Sequence, residues 1–251
     1  RKPKQLWSEK GHGDPIIRYY AQDEGDEAQW VGGTCASYTS ADRYRWGDIA
    51  VFYRTNAQSR VVEEAFMRMG IPYKVVGGTR FYDRKEIKDA IAYLKAVVNP
   101  ADEVSLKRVI NEPKRGVGDT SVAKLDAWAV ATGESFAAAL RRPEAAGVTG
   151  AAIRGIARFV EVIDGLESLV SQGPAEVIRA AIENSGYAAE LEAENSIEAQ
   201  GRLENLTELI GSAERFETVD EFLEQVSLVS DTDQIDGDDS KVVLMTLHSA
   251  K

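Results

Sequence analysis

The sequence predicts a mostly helical chain in which a partial α/β parallel sheet is interrupted by a large all-α inserted domain. Three observations carry that prediction. Apolar strand-like runs alternate with helical stripes up to about residue 78. The pattern from Asp83 to Ser230 is helical almost throughout, with breaks at Asn99-Pro100, Pro113, Gly133, Pro143, Gly173-Pro174 and Gly186. A new buried strand, Val242-Val243-Leu244-Met245, then follows. An α/β unit bracketing a helical block is the pattern of a domain insertion, which is tolerated where chain ends lie close together at a surface.

The elements follow in order. Ile16 to Tyr20 is an apolar run expected to be a strand. A helix is expected from about Glu24 to Tyr38, and the acidic cluster Asp23-Glu24 and Asp26-Glu27 at its start complements the helix dipole rather than holding a metal. Ile49 to Tyr53 forms the next strand. Val61, Val62, Ala65, Phe66 and Met69 recur at helical spacing, Gly70 stands where that helix would stop, and Pro72 to Val76 restarts an extended segment. Strands alternating with helices imply a parallel sheet. In the helical block, Ile153, Ile156, Phe159, Val160, Ile163 and Leu166 form one core stripe, and Leu203, Leu206, Leu209 and Ile210 form another. Asp231 to Ser240 reads as an acidic, solvated linker. It superficially resembles a calcium loop, but Ile235 stands where a ligand is needed, Gly237 comes one place late and Val242 replaces the bidentate glutamate.

At 251 residues and 43% hydrophobic, the chain can bury a substantial core. Its apolar runs, such as Ala90 to Val98 interrupted by Lys95, are too short for a membrane span, and Arg1-Lys2-Pro3-Lys4 leads into no signal core. The single cysteine, Cys35, cannot form an internal disulfide, which fits a reducing, cytoplasmic compartment. The net charge of -11 conceals a strong asymmetry. Residues 1–150 carry 23 basic against 20 acidic side chains, whereas residues 151–240 carry 5 against 21. Ten cations fall between Arg80 and Lys124, so a polyanion is expected to meet the first half of the chain.

Two constellations point to phosphate chemistry. Tyr53-Arg54-Thr55-Asn56-Ala57-Gln58-Ser59-Arg60 stands at a strand-to-helix junction, the carboxyl edge of a parallel sheet where ligands of open α/β folds bind. Arg54 can pair with a phosphate, and Asn56 can donate and accept. The same residues also allow Asn56 to cap the helix and Arg54 to form an internal salt bridge. The second constellation is Pro113-Lys114-Arg115-Gly116-Val117-Gly118-Asp119-Thr120-Ser121, between a helical run at Leu106 to Ile110 and another from Val122. Its glycines let the backbone approach a phosphate, Asp119, Thr120 or Ser121 can cap the second helix, and Lys114 and Arg115 supply charge. His248, one of two histidines, has no Cys or His neighbour to suggest zinc, and His12 has no assigned role.

The first constellation resembles the second motor subdomain, 2A, of superfamily-1 DNA helicases of the UvrD/PcrA/Rep type. Gly77-Gly78-Thr79-Arg80-Phe81-Tyr82-Asp83-Arg84-Lys85-Glu86-Ile87-Lys88-Asp89 resembles the passage from 2A into the inserted helical subdomain 2B, and Thr246-Leu247-His248-Ser249-Ala250-Lys251 resembles the start of helicase motif five. The resemblance spans essentially the whole chain. It implies a partial RecA-like 2A over residues 1–78, a helical 2B over 79–240 ending in the linker 231–240, and the return strand of 2A over 241–251. It also implies that Arg54, Asn56, Thr246 and His248 contact single-stranded DNA, with Ser249 a nearby hydroxyl donor. Lys114, Arg115, Gly116, Val117, Gly118, Thr120 and Ser121 would form the hairpin through which 2B grips duplex DNA. Family members more often carry Ile between the two glycines, so Val117 is a mild departure.

For the parent protein, the resemblance implies an ATP- and Mg²⁺-dependent helicase moving 3′ to 5′, acting in repair or replication, with a swivelling 2B that regulates unwinding. No Gly-x-x-x-x-Gly-Lys-[Ser/Thr] loop occurs in the sequence, so the segment itself is expected to bind no nucleotide or metal cofactor and to hydrolyse no ATP. DNA is the expected partner and a membrane is not. Two alternatives stand beside this reading: self-association or binding of a repair-protein partner through the acidic helices, and membership of a helicase-nuclease.

Overall fold

A computed structural model describes residues 13–230 and 240–250. The acidic segment Asp231 to Asp239 and His12 lie outside the described residues.

Helix α1 (Glu24–Ser40) opens on Asp23, whose carboxylate accepts the Asp26 amide at 2.8 Å, and Glu24, Asp26 and Glu27 fill its first turn. Strand β1 (Ala50–Tyr53) leads through a 3₁₀ turn into α2 (Ser59–Arg68), which stops before Gly70 in the left-handed region at φ 66°. Strand β2 (Tyr73–Val76) follows. Strand β3 (Val242–Thr246) lies between β1 and β2 and is parallel to both, pairing Tyr53 with Thr246 and Val76 with Met245. The central strand therefore comes from the far end of the chain. Val242 and Leu244 on it are fully buried, in a core with Phe66, Ile71 and Tyr73.

Between β2 and β3 the described chain is helical: α3 (Lys85–Val98), α4 (Glu103–Val109), α5 (Asp119–Thr132), α6 (Phe136–Leu140), α7 (Ala151–Glu167), α8 (Pro174–Asn184), α9 (Tyr187–Glu194), α10 (Ile197–Ala213) and α11 (Val219–Ser230). Local chemistry sets many of these ends. Asp102, Ser135 and Ser196 accept first-turn amides, Pro174 opens α8, and Gly133 ends α5 at φ 72°. One hydrophobic core runs from Phe81 to Val226, with Tyr93, Phe136, Phe159 and Phe222 among its largest buried side chains. Burying about 0.8 kcal/mol per CH₂ across such stripes is what holds helices of modest individual stability together. Among the described residues, no helix is long and apolar enough to cross a membrane.

The segment Ile16 to Tyr20 departs from expectation. It is extended but pairs with no strand among the described residues, and Ile16 is 97% exposed. An apolar run becomes a strand only where a neighbouring backbone takes up its hydrogen bonds. What anchors it is Tyr19, stacked on Trp30 at 4.7 Å with its hydroxyl on the Asp26 carboxylate.

Candidate nucleic-acid interface

The parallel register gathers one set of residues at the carboxyl edge of the sheet. Pairing of Tyr53 with Thr246, extended by the Leu247 amide donating to the Tyr53 carbonyl at 3.3 Å, places Arg54 and Asn56 beside Thr246 and His248. Gln58 shapes the turn: its side-chain carbonyl accepts the amides of Arg54 at 2.9 Å and Thr55 at 3.2 Å. Neither local alternative for this pair is seen. Asn56 does not cap the helix, Arg54 has no ion-pair partner among the described residues, and both side chains are exposed. His248 is also exposed, and the hydroxyls of Thr246 and Ser249 lie 3.1 Å apart. Gly77, at the end of β2 with φ 80°, completes the edge, because a β-carbon there would collide with the Ser249 hydroxyl. In the sequence the only signal for Gly77 is the pair of glycines directly after a strand.

The Gly-x-Gly hairpin joins α4 to α5. Helix α5 starts at Asp119 with Gly118 in the capping position, three residues earlier than the expected start at Val122. Asp119, Thr120 and Ser121 do not cap it with their side chains. The organising side chain is Asn111, whose carbonyl oxygen accepts the Arg115 amide at 2.8 Å and the Val117 amide at 3.1 Å. Gly116 adopts φ 76°, whereas Gly118 has φ -88°, a conformation open to any residue. A β-carbon on Gly118 would meet nothing within 4 Å, and one on Gly116 would only graze Ala151 at 3.9 Å. Both glycines and Lys114 and Thr120 are exposed, Ser121 is half-buried, and Val117 is buried in the helical core.

Arg115 is placed differently from its expected phosphate-facing position. Its guanidinium points into the protein, donating to the carbonyls of Glu112 at 3.0 Å and Val109 at 3.1 Å, to the Tyr93 hydroxyl at 2.7 Å and to the Ser185 carbonyl at 3.3 Å. It also lies over the Phe159 ring. The sequence could not show this, because the Tyr93 hydroxyl and the Ser185 carbonyl come from distant helices and the carbonyls of residues 109 to 113 converge on one point only in the folded loop. Burial pushes the Tyr93 phenol up, opposed by the cation beside it. Most of the cations between Arg80 and Lys124 are engaged internally as well. Lys85 and Arg108 converge on the buried Asp89, Lys88 pairs with Asp83, and Lys107 pairs with Glu103 and Asp126. Lys85, Lys88 and Lys124 keep exposed side chains but have partners within the chain, Lys124 on the Gly147 carbonyl, whereas Lys114 is exposed with no partner among the described residues.

Where α2 meets the helical block lies a buried polar network that the sequence reading did not identify. Arg60, 2% exposed, bridges Glu64 on its own helix at 2.8 Å and Glu208 of α10 at 2.7 Å. Tyr82 donates to Glu64, Arg84 donates to Asn205 and Ser59, and Asn205 donates to Glu86. Burial alone would lower the Arg60 pKa, but the two carboxylates outweigh it and hold it above its ordinary value. Burial lowers Arg84 despite Glu63 and Glu86, and raises Glu63 despite hydrogen bonds from Ser59 and the Phe81 amide. The i,i+4 spacing of Arg60 and Glu64 reads as a solvated helix face in sequence, which concealed it.

Residues 1–251 match the UvrD-like helicase C-terminal domain. The chain is 41% identical over 264 residues to the ATP-dependent DNA helicase PcrA of Bacillus subtilis, covering 100% of this chain and 36% of that protein. It is 41% identical over 275 residues to the ATP-dependent DNA helicase UvrD1 of Mycobacterium tuberculosis (strain ATCC 25618 / H37Rv), again covering 100% and 36%. With PcrA of Staphylococcus aureus (strain Mu50 / ATCC 700699) the identity is 39% over 263 residues, covering 100% and 35%. The chain thus spans about a third of the length of these relatives, and it belongs to the UvrD-like helicase C-terminal domain family.

Proposed function

We propose that this chain is the DNA-engaging part of an ATP-dependent helicase that moves 3′ to 5′ and separates duplex DNA in repair or replication. In this reading residues 1–78 and 241–251 belong to motor subdomain 2A, and residues 79–240 form 2B. Arg54, Asn56, Thr246 and His248 track the single strand across the sheet edge. The Gly-x-Gly hairpin rests on the duplex ahead of it, and reorientation of 2B against the motor sets the rate of unwinding. ATP and Mg²⁺ would be held by the phosphate-binding loop of the rest of the protein, since none occurs in this sequence.

The observation that carries the reading is Gly118. Nothing within the described chain requires a glycine there: its φ is -88°, and the space above it is open. The backbone amides of Gly116, Gly118, Asp119 and Thr120 have no acceptor among the described residues. With Lys114 alongside, they form an exposed donor surface suited to a phosphodiester backbone, which positions a duplex without reading its sequence. The test is Gly118→Ala. The lost capping preference costs under about 1 kcal/mol of stability, but the methyl group obstructs approach. Anisotropy with a fluorescent duplex carrying a 3′ tail should show weakened binding and a nearly unchanged thermal melt. Undiminished binding would remove the hairpin from the interface.

A second reading is favoured by Ile197, 92% exposed beside Glu194 and Glu198 at the α9–α10 corner. It is contact with a second copy or a basic protein surface through these helices. Sedimentation over a concentration series, with Ile197→Glu as control, separates it from the first.

A further inference from the structure

Arg115 stands beside Lys114 in a loop read as a phosphate grip, yet the two side chains face opposite ways. One Nη of Arg115 lies within reach of the carbonyls of Val109, Ile110, Glu112 and Pro113, at 3.0 to 3.4 Å. The other reaches the Tyr93 hydroxyl and the Ser185 carbonyl. A planar guanidinium can gather acceptors from several directions at once, which an ammonium on a flexible stem does not reproduce. The cation thus collects the last carbonyls of α4, the loop after it and the end of α8 around one point. It also complements the negative end of the α4 dipole.

Asn111 completes the frame from the other side. Its single carbonyl oxygen takes up the amides at 115 and 117. Those of Gly116, Gly118, Asp119 and Thr120 have no acceptor among the described residues. Asn111 thus consumes two amides within the loop while Arg115 gathers the carbonyls before it, and the remaining amides are left for a ligand. We infer that Arg115 and Asn111 are positioning residues, which hold the hairpin amides in place for the duplex backbone without touching it, and that Lys114 supplies the phosphate-neutralising charge. This rests on the hairpin being the duplex grip.

Counterion release makes the two roles measurable. Each phosphate neutralised by a cation contributes about 0.9 to the slope of log K against log salt on duplex DNA, whereas neutral amide contacts contribute none. The experiment uses the 251-residue chain, a fluorescent duplex with a 3′ tail, a salt series and the variants Lys114→Met, Arg115→Met, Arg115→Lys and Asn111→Ala. Lys114→Met should flatten the slope by about 0.9. Arg115→Met should weaken binding about tenfold, equivalent to about 1.4 kcal/mol, with the slope unchanged. Arg115→Lys, which keeps the charge, should bind as poorly as Arg115→Met.

If Arg115→Met loses the slope and Arg115→Lys restores both slope and affinity, Arg115 is itself a phosphate contact and the proposal is overturned. Amide hydrogen exchange without DNA provides a second, local readout that does not depend on how well Arg115 variants fold. Asn111→Ala should deprotect the Arg115 and Val117 amides while the α7 amides stay protected, and should also weaken duplex binding. Unchanged exchange at both positions overturns the frame. If wild type binds no duplex although Asn111→Ala still deprotects those amides, the duplex-grip reading fails, and the positioning role fails with it.

Discussion

The backbone carbonyl oxygen of Arg115 occupies the space that a β-carbon on Gly155 would need, so α7 and the hairpin loop meet backbone to backbone. Gly155 is buried, and a β-carbon there would also come within 3.0 Å of the Val117 side chain. A β-carbon on Gly165, further along α7, would meet nothing within 4 Å. Gly155→Ala should therefore destabilise the chain by about 1–3 kcal/mol through overpacking. Gly165→Ala should be neutral or stabilising by roughly 0.5–1 kcal/mol, from the helix preference alone. Urea unfolding of the two variants checks this; equal midpoints would mean that the close approach does not exist.

The Arg60 guanidinium should be the most sensitive point of the junction between α2 and the helical block. Arg60→Met leaves Glu64 buried with only the Tyr82 hydroxyl, which should cost roughly 3–5 kcal/mol. Glu208 is 30% exposed at its side chain, so Glu208→Gln should cost far less. The comparison is a pair of denaturation curves, and the order of the two losses is the result that matters.

Acid should weaken the start of α4. Asp102 accepts from the hydroxyl of Ser105 at 2.7 Å and from its amide at 3.0 Å, and these bonds hold its carboxyl below the usual range. A depressed folded pKa adds stability above the unfolded value of about 3.9, and that stability is lost as pH falls through the folded value. Asp102→Ala should cost about 1 kcal/mol at pH 7, and the difference from wild type should shrink between about pH 4 and pH 2. Thermal melts across that range check the sign; a gap that widens in acid would contradict it.

On a single-stranded oligonucleotide, Arg54 and Asn56 should separate by salt. Arg54→Met should lower the salt slope by about 0.7, because an exposed cation without an internal partner is free to displace a counterion. Asn56→Ala should weaken binding at every salt concentration and leave the slope alone. Equal slopes for wild type and Arg54→Met would take Arg54 out of the DNA track.

The helical framework was legible because its signals are local. Gly133 and Pro174 mark helix ends through their own backbone chemistry, and the α7 stripe from Ile153 to Leu166 follows the helical period. The candidate site was legible only as a cluster at one sheet edge. Arg54, Asn56, Thr246 and His248 do gather at one sheet edge, because parallel pairing carries β1 and β3 to the same end. Ile16 to Tyr20 was misread, because a strand needs a partner that its own residues do not encode.

From sequence alone came the alternation of strand and helix, the insertion of the helical block, the acidic and basic halves, and the Gly-x-Gly loop. Only tertiary structure decided the fate of each charge. Arg115 and Lys114 are neighbours of the same type, but Arg115 is drawn inward by Tyr93, Ser185 and the end of α4, while Lys114 is left exposed. Arg60 is likewise buried by Glu208, far along the chain. Helix period and capping depend on residues a few positions apart, whereas a guanidinium's partners are whatever acceptors the packed helices bring within about 3 Å of it, and that proximity exists only once the chain has folded.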